Sequence, residues 1–271
     1  MYESGVDAVR ARQALATVVP RLTALIRSVR NPAAHAVGEW NAGQVAVHLA
    51  QAWEVLGPLS RGETQVGLER PEDLAAFTVS LVRGEDCSDV HAAADRIDAA
   101  AAAYFAKPLD DLGLRSWLFA GTELPASAFV CHLLNESLVH GFDIARADRQ
   151  RWRIEPAHAG MAILGFLLPA LSVLDPHFPV VQEEAAGVRA CVDVRLRRTG
   201  RFFLVLDDGT LHVEPPTDRP VDWHLSADPT ALFLQLWSRT GVVASLLSGR
   251  VVGWGRRPQV GLRLPRMLRS P

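Results

Sequence analysis

Residues 132 to 147, HLLNESLVHGFDIARA, carry two histidines and a glutamate inside a stretch otherwise patterned as a buried helix. Glu136 and His140 are i,i+4 neighbours, with Cβ atoms about 5 to 6 Å apart on a helix, so both can reach one cation at about 2.0 to 2.2 Å. The same spacing relates His132 to Glu136. His132 and His140 are separated by about 12 Å of helix rise and can hardly join Glu136 around a single ion. Spacing alone therefore leaves both pairs open. A third ligand must come from another helix, and His48 is the best candidate: Val45, His48, Leu49, Ala52 and Leu56 share one face of an amphipathic stretch. A His, Glu, His set leaves a coordination position for water or substrate, the arrangement of catalytic zinc. The competing reading is a set of core histidines satisfied by hydrogen bonds. Either way, a buried carboxylate must find a partner or take up a proton.

The elements that must hold these residues are helical up to about residue 150. Leu15, Val18, Val19, Leu22, Leu25, Ile26 and Val29 recur at helical spacing, with Pro20 expected to kink or interrupt the run. A second helix starts after Trp40, with Asn41 as N-cap and Gln44 completing a capping box. Pro71 opens a third through about Arg83, Ser88 is placed to cap the alanine-rich run that follows, and a further helix spans Pro125 to about Asp148. Four main helices with short connections predict an antiparallel bundle, a common setting for a metal site.

Beyond about residue 152 the periodicity changes. An apolar helix (156 to 174) precedes VRACVDVRLRR and FFLVLDDGTLHVE, the second of which places a DDG turn between β-rich runs. VDWHLSA reads as another strand, Asp228 and Pro229 start a helix, and the glycine-punctuated tail VVGWGRRPQVGLRL is expected to end in a short strand. The fold class is α+β, with RQRWRIEP as the boundary between residues 1–152 and 153–271.

Composition excludes more than it selects. The chain has 271 residues, 49% apolar content and a formal charge of -2, which give room for a sizeable core and no global electrostatic case for nucleic acid or an anionic membrane. Cys87, Cys131 and Cys191 form no CxxC pair, so neither a disulfide framework nor a cysteine zinc knuckle is indicated, and a reducing cytoplasm is expected. MYESGVDAVRARQ lacks the apolar core of a signal peptide. The run GMAILGFLLPALSVL, with its internal proline, is short of the roughly 20 residues of a membrane span and reads as a buried helix.

Two stretches, WNAGQVAVHLA at 40 to 50 and NESLVHGFDIARA at 135 to 147, resemble the mycothiol-dependent maleylpyruvate isomerase family of the DinB-like metalloenzyme superfamily. VDWHLSADPTALFLQLWSR and GRVVGWGRRP are similar to that family's small C-terminal domain of sterol-carrier-protein-like fold. The resemblance implies an N-terminal four-helix DinB-like bundle holding a divalent metal, usually zinc, on His48, Glu136 and His140, with His132 left over. It also implies mycothiol as thiol cofactor, held as a metal-bound thiolate for addition to an electrophilic small molecule, in cis-trans isomerisation or S-transfer.

Three further residues are candidates for work in such a site. Arg83, at the end of the third helix, could bind a substrate carboxylate, against the plainer reading of a solvated helix end. Asp143 could orient His140, and His132 could line the pocket as acid or base. Cys131 reads as a small buried hydrophobe, Trp40 as a staple of the helix start, and the arginines at 250, 256, 257, 263, 266 and 269 as a solvated basic edge. Two alternatives to an enzyme are a protein binding a small molecule or lipid in its C-terminal domain, and a stress-response protein that keeps the bundle without turnover.

Overall fold

The computed structural model describes residues 5–108 and 113–270, in two compact units that meet between Ile154 and Glu155. Unit one is built on four long helices: α1 (Ala8–Arg27), α2 (Ala42–Leu59), α4 (Val90–Ala106) and α5 (Ala126–Ala147), with the short α3 (Asp73–Val82) against α2. Two small hairpins interrupt the series, β1 (His35–Val37) with β2 (Trp40–Asn41) and β3 (Leu114–Ser116) with β4 (Glu123–Pro125). Neither hairpin follows from the hydrophobic pattern.

The long helices pack in the cyclic order α1, α5, α2, α4. Their interior is closed by Leu15, Leu22, Ile26, Leu49, Trp53, Ile97, Phe129 and Leu133, all essentially out of water. Each such side chain stabilises the fold by about 1.5 to 3 kcal/mol. The sense of packing differs from the alternating antiparallel bundle expected. The end of α1 meets the end of α5, where Gln150 donates to Ser28 and Arg30 pairs with Asp148. The start of α2 meets the chain ahead of α4, at Gly43 and Cys87. So α1 and α5 run together, and so do α2 and α4, with antiparallel contacts between the pairs. The reason lies in the α2 to α4 connection, which includes α3 and is long enough to bring the chain back to the end where α2 began.

Local chemistry explains the helix boundaries. The capping box at α2 forms as expected: Gln44 N–H donates to Asn41 Oδ1 at 2.8 Å and Asn41 N–H to Gln44 Oε1 at 3.0 Å. Helix α1 is not interrupted at Pro20, whose position is exposed, as is that of Ala16, so the carbonyl deprived of its partner faces water. One capping expectation is corrected. Asp89, rather than Ser88, caps α4 by accepting from Ala92 N–H, while Ser88 turns back to Asp86.

Unit two begins with an apolar helix, α6 (Pro156–Ala162), which continues through a π-helical segment (Ile163–Leu167) into α7 (Leu168–Val173). At 18 residues it is long and apolar enough to cross a bilayer by length and composition, and 61% of it is buried within the fold. After α8 (Gln182–Ala185) come β5 (Arg189–Leu196), β6 (Gly200–Asp207), β7 (Thr210–Glu214), β8 (Trp223–Ala227), α9 (Pro229–Leu236), α10 (Val242–Leu247), β9 (Val251–Gly255) and α11 (Pro258–Met267). The sheet has the order β7-β6-β5-β8-β9, antiparallel except for the β5/β8 pair. The tail thus ends in α11, not in a strand: Pro258 is favoured in a first helical turn, and Val260, Leu264 and Met267 bury one face. The whole is an α+β fold.

Alternation along β5 sends Ala190, Val192, Val194 and Leu196 to one face and Asp193 to the other. Asp193 is fully buried yet charged, accepting from Arg201 Nε at 2.7 Å and Arg195 Nε at 3.0 Å, with His224 Nδ1 at 2.8 Å. Burial by itself would raise its pKa, but the bonds from Arg201, His224 and Arg195 outweigh it and hold the carboxylate below its usual range. A depressed folded-state pKa gives stability that is present above the unfolded value, about 4, and is lost as pH falls through the folded one. In urea unfolding followed across acid pH, the wild type should therefore exceed Asp193→Asn at neutral pH, and the gap should close below about pH 4. A second test concerns the start of α2, where a Cβ on Gly43 would lie 1.8 Å from the Cys87 carbonyl oxygen. Gly43→Ala should cost about 1 to 3 kcal/mol in thermal or urea unfolding, because main chain has to move.

Candidate metal centre

Helices α2 and α5 pack directly on each other, and their facing sides bring one carboxylate among three imidazoles. Glu136 Oε2 lies 3.5 Å from His48 Nε2 and 3.4 Å from His140 Nε2, and its Oε1 lies 3.5 Å from His132 Nε2. These separations exceed the 2.7–3.2 Å or so of good N–H···O hydrogen bonds. They match the roughly 3.4 Å between two donors on a tetrahedral ion with bonds of about 2.1 Å. His48, Glu136 and His140 each offer one ligand atom, all within 4.8 Å of one another. The donor set, two imidazoles and a carboxylate, is one that zinc and similar divalent cations accept.

Each member is held from behind. The ring of Trp40, in β2, lies 5.0 Å from that of His48, and His48 meets His140 edge to face at 5.0 Å. Arg146 of α5 donates to the Ala36 carbonyl at 2.9 Å, tying the β1/β2 hairpin to the helix that carries Glu136. Asp143, fully buried one turn beyond His140, places Oδ2 3.0 Å from His140 Nδ1. That contact turns the opposite nitrogen, Nε2, towards Glu136. Asn135 Nδ2 donates to Glu136 Oε1 at 3.2 Å, so Asn135 and His132 address one carboxylate oxygen while His48 and His140 address the other.

The electrostatics follow from this crowding. Burial would raise the Glu136 pKa, but the imidazoles of His132, His140 and His48 outweigh it and hold the carboxylate well below the usual range. Burial likewise opposes a charge on His140, yet Asp143 and Glu136 together raise it to about 9. His48 has no second carboxylate, and desolvation lowers its pKa.

Of the sequence candidates, His48, Glu136 and His140 come together, Asp143 stands behind His140, and His132 takes the other oxygen of Glu136. Arg83 is an exposed C-cap of α3 and makes no ion pair among the described residues. Arg250 pairs with Asp228, Arg256 and Arg257 lie near Asp222, and Arg263 donates to the Glu184 carbonyl, so much of the basic edge serves the second unit's own structure. The hydrophobic pattern missed Trp117, whose ring meets His132 at 6.2 Å; the β3/β4 hairpin that flanks it left only a glycine at 121 as a signal.

Helix-borne histidine and carboxylate ligands on facing helices define a candidate divalent-cation protein with an α+β second unit. No protein-family model and no curated protein matches the chain. Among solved structures it is similar to the mycothiol-dependent maleylpyruvate isomerase, with a TM-score of 0.54 and 11% identity over 92% of this chain and 93% of that one. A histidine-to-alanine mutant of that isomerase gives the same values. At this identity the likeness is one of fold, and it spans both units.

None of the three cysteines offers a ready thiolate. Cys131, fully buried beside His132, is pushed up to about 12 by burial; burial also raises Cys191 and, with Glu85 and Asp86, the half-buried Cys87. Iodoacetamide at about pH 8 should alkylate Cys87 first and leave Cys131 untouched until the protein is denatured, as peptide mass mapping would show.

Proposed function

We propose that this protein is a distant member of the mycothiol-dependent maleylpyruvate isomerase family, an enzyme that uses a divalent cation and a thiol cofactor on an electrophilic small molecule. In this reading the four long helices form a DinB-like bundle, the second unit is sterol-carrier-like, and His48, Glu136 and His140 hold the cation, Zn2+ by preference. The observation that carries it is the convergence of those three side chains from two helices. When bound, the cation lowers the pKa of a thiol enough to keep it ionised at neutral pH. Mycothiol supplies that thiol, since the chain's own cysteines are held neutral.

The chain's own residues do the positioning. Asp143 fixes the His140 ring and keeps Nε2 pointing inwards, while Asn135 and His132 hold the far oxygen of Glu136. His132, between Glu136 and Trp117, is the candidate proton carrier at the pocket wall, and Arg83 the candidate for a carboxylate arriving from solvent.

Metal analysis and calorimetry test the reading. The wild type should take up Zn2+ or Co2+ at about one ion per chain. His48→Ala should load none, and Asp143→Asn should bind roughly 10- to 100-fold more weakly. Mycothiol should then bind only the loaded protein. Incubation with mycothiol and a panel of electrophiles, maleylpyruvate included, would separate a geometric isomer from a thioether by mass. Metal uptake without thiol binding would overturn the proposal in favour of a non-catalytic role.

A further inference from the structure

Further along α2 from His48, four buried donor atoms stand without an acceptor among the described residues. The Trp53 indole Nε1, the Tyr104 hydroxyl, and Nε and Nη1 of Arg61 are all shielded from solvent and make no hydrogen bond to any described residue. Trp53 is 1% exposed and Tyr104 3%. They are neighbours: the two rings meet edge to face at 6.1 Å, and a Cβ on Gly57 would lie 3.8 Å from Tyr104 Cδ2 and 3.9 Å from Arg61 Nη1. The remaining guanidinium nitrogen, Nη2, donates to Glu63 at 2.8 Å, which orients Arg61 without answering its other N–H groups. Burial pushes the Tyr104 phenol up to about 12, so it stays protonated and able to donate.

Hiding a polar group from water without a partner is costly, and more so when the group is charged. Indole and guanidinium can only donate, and the Tyr104 hydroxyl, the one possible acceptor in the set, bonds to neither. The set is short of acceptors, and the guanidinium, although Glu63 already meets its Nη2, favours a negatively charged one for its other N–H groups. We propose that Arg61, Tyr104 and Trp53 form a second ligand site, separate from the metal centre, for the carboxylate of a small organic acid. Trp53 lies about 7.5 Å of helix rise beyond His48, so the site belongs to the same helical unit but shares none of the three metal-centre ligands. It goes beyond the thiol chemistry proposed above and stands whether or not mycothiol binds.

The probe is acetate, titrated into the full-length, metal-loaded, 15N-labelled protein against chloride at equal ionic strength. The Trp53 indole and Arg61 Nε–H signals should shift to saturation. Tyr104→Phe, which removes a single hydroxyl, should weaken binding roughly tenfold, and Arg61→Met should abolish it. His48→Ala should leave it intact. Shifts that never saturate and equal those with chloride would overturn the proposal, as water alone would then satisfy the donors. So would saturation that survives in Tyr104→Phe and disappears in His48→Ala, because acetate would then be going to the metal centre. If Arg61→Met fails to fold, Tyr104→Phe still decides.

Discussion

A carboxylate placed inside a helical core has to be neutralised there, and Glu136 imposes that condition on everything around it. Phe129, Leu133 and the α2 face leave Glu136 little contact with water, so the charge is met mainly by His48, His132 and His140. The separations of 3.4 and 3.5 Å are too long for those contacts to act as ordinary hydrogen bonds. A packed core could close such gaps with a rotamer change if the bonds were the purpose. Their persistence, with each ring backed by Trp40, Asp143 or Trp117, fits a space kept for something held in common.

That space needs α2 and α5 antiparallel and in one register, and features well away from the histidines supply both. The capping box fixes where α2 begins. Gly43 lets that first turn touch the main chain at Cys87, and Arg146 ties the preceding hairpin to α5. The second unit has its own framework, a π-helical turn and a five-stranded sheet. Their glycine approaches and the buried Asp193 network hold a separate fold together.

How far the sequence reveals this depends on the range of the interaction. The α2 cap, the β6/β7 turn and the Asp228 cap are local: a short polar side chain or a glycine answers main-chain groups within a few residues. They were legible. The i,i+4 spacing was equally local, but it fits His132 with Glu136 as well as Glu136 with His140, and which pair meets His48 depends on how α2 faces α5. Helix sense could not be read, because short loops were assumed and the α2 to α4 connection is long. That α1 continues past Pro20 could not be read either, because the cost of a missing N–H depends on whether the abandoned carbonyl reaches water, a property of the fold. The tail ends in a helix although its valine favours a strand locally and its glycine disfavours a helix, because Val260, Leu264 and Met267 are buried together on one helical face.

The two polar clusters inside the first unit are chemical opposites, and that contrast constrains what the bundle interior is for. Around Glu136, two buried carboxylates, Glu136 and Asp143, stand among imidazoles, so this centre is short of positive charge, which a proton on His140 or a cation can provide. Around Arg61 and Tyr104, buried donors outnumber acceptors among the described residues, even with Glu63 on one guanidinium nitrogen. A core selected for stability alone would fill both places with hydrocarbon, which is often neutral or stabilising relative to buried ions. Keeping an acceptor-rich and a donor-rich pocket in one helical unit is most simply understood if the interior receives charge from outside at two points.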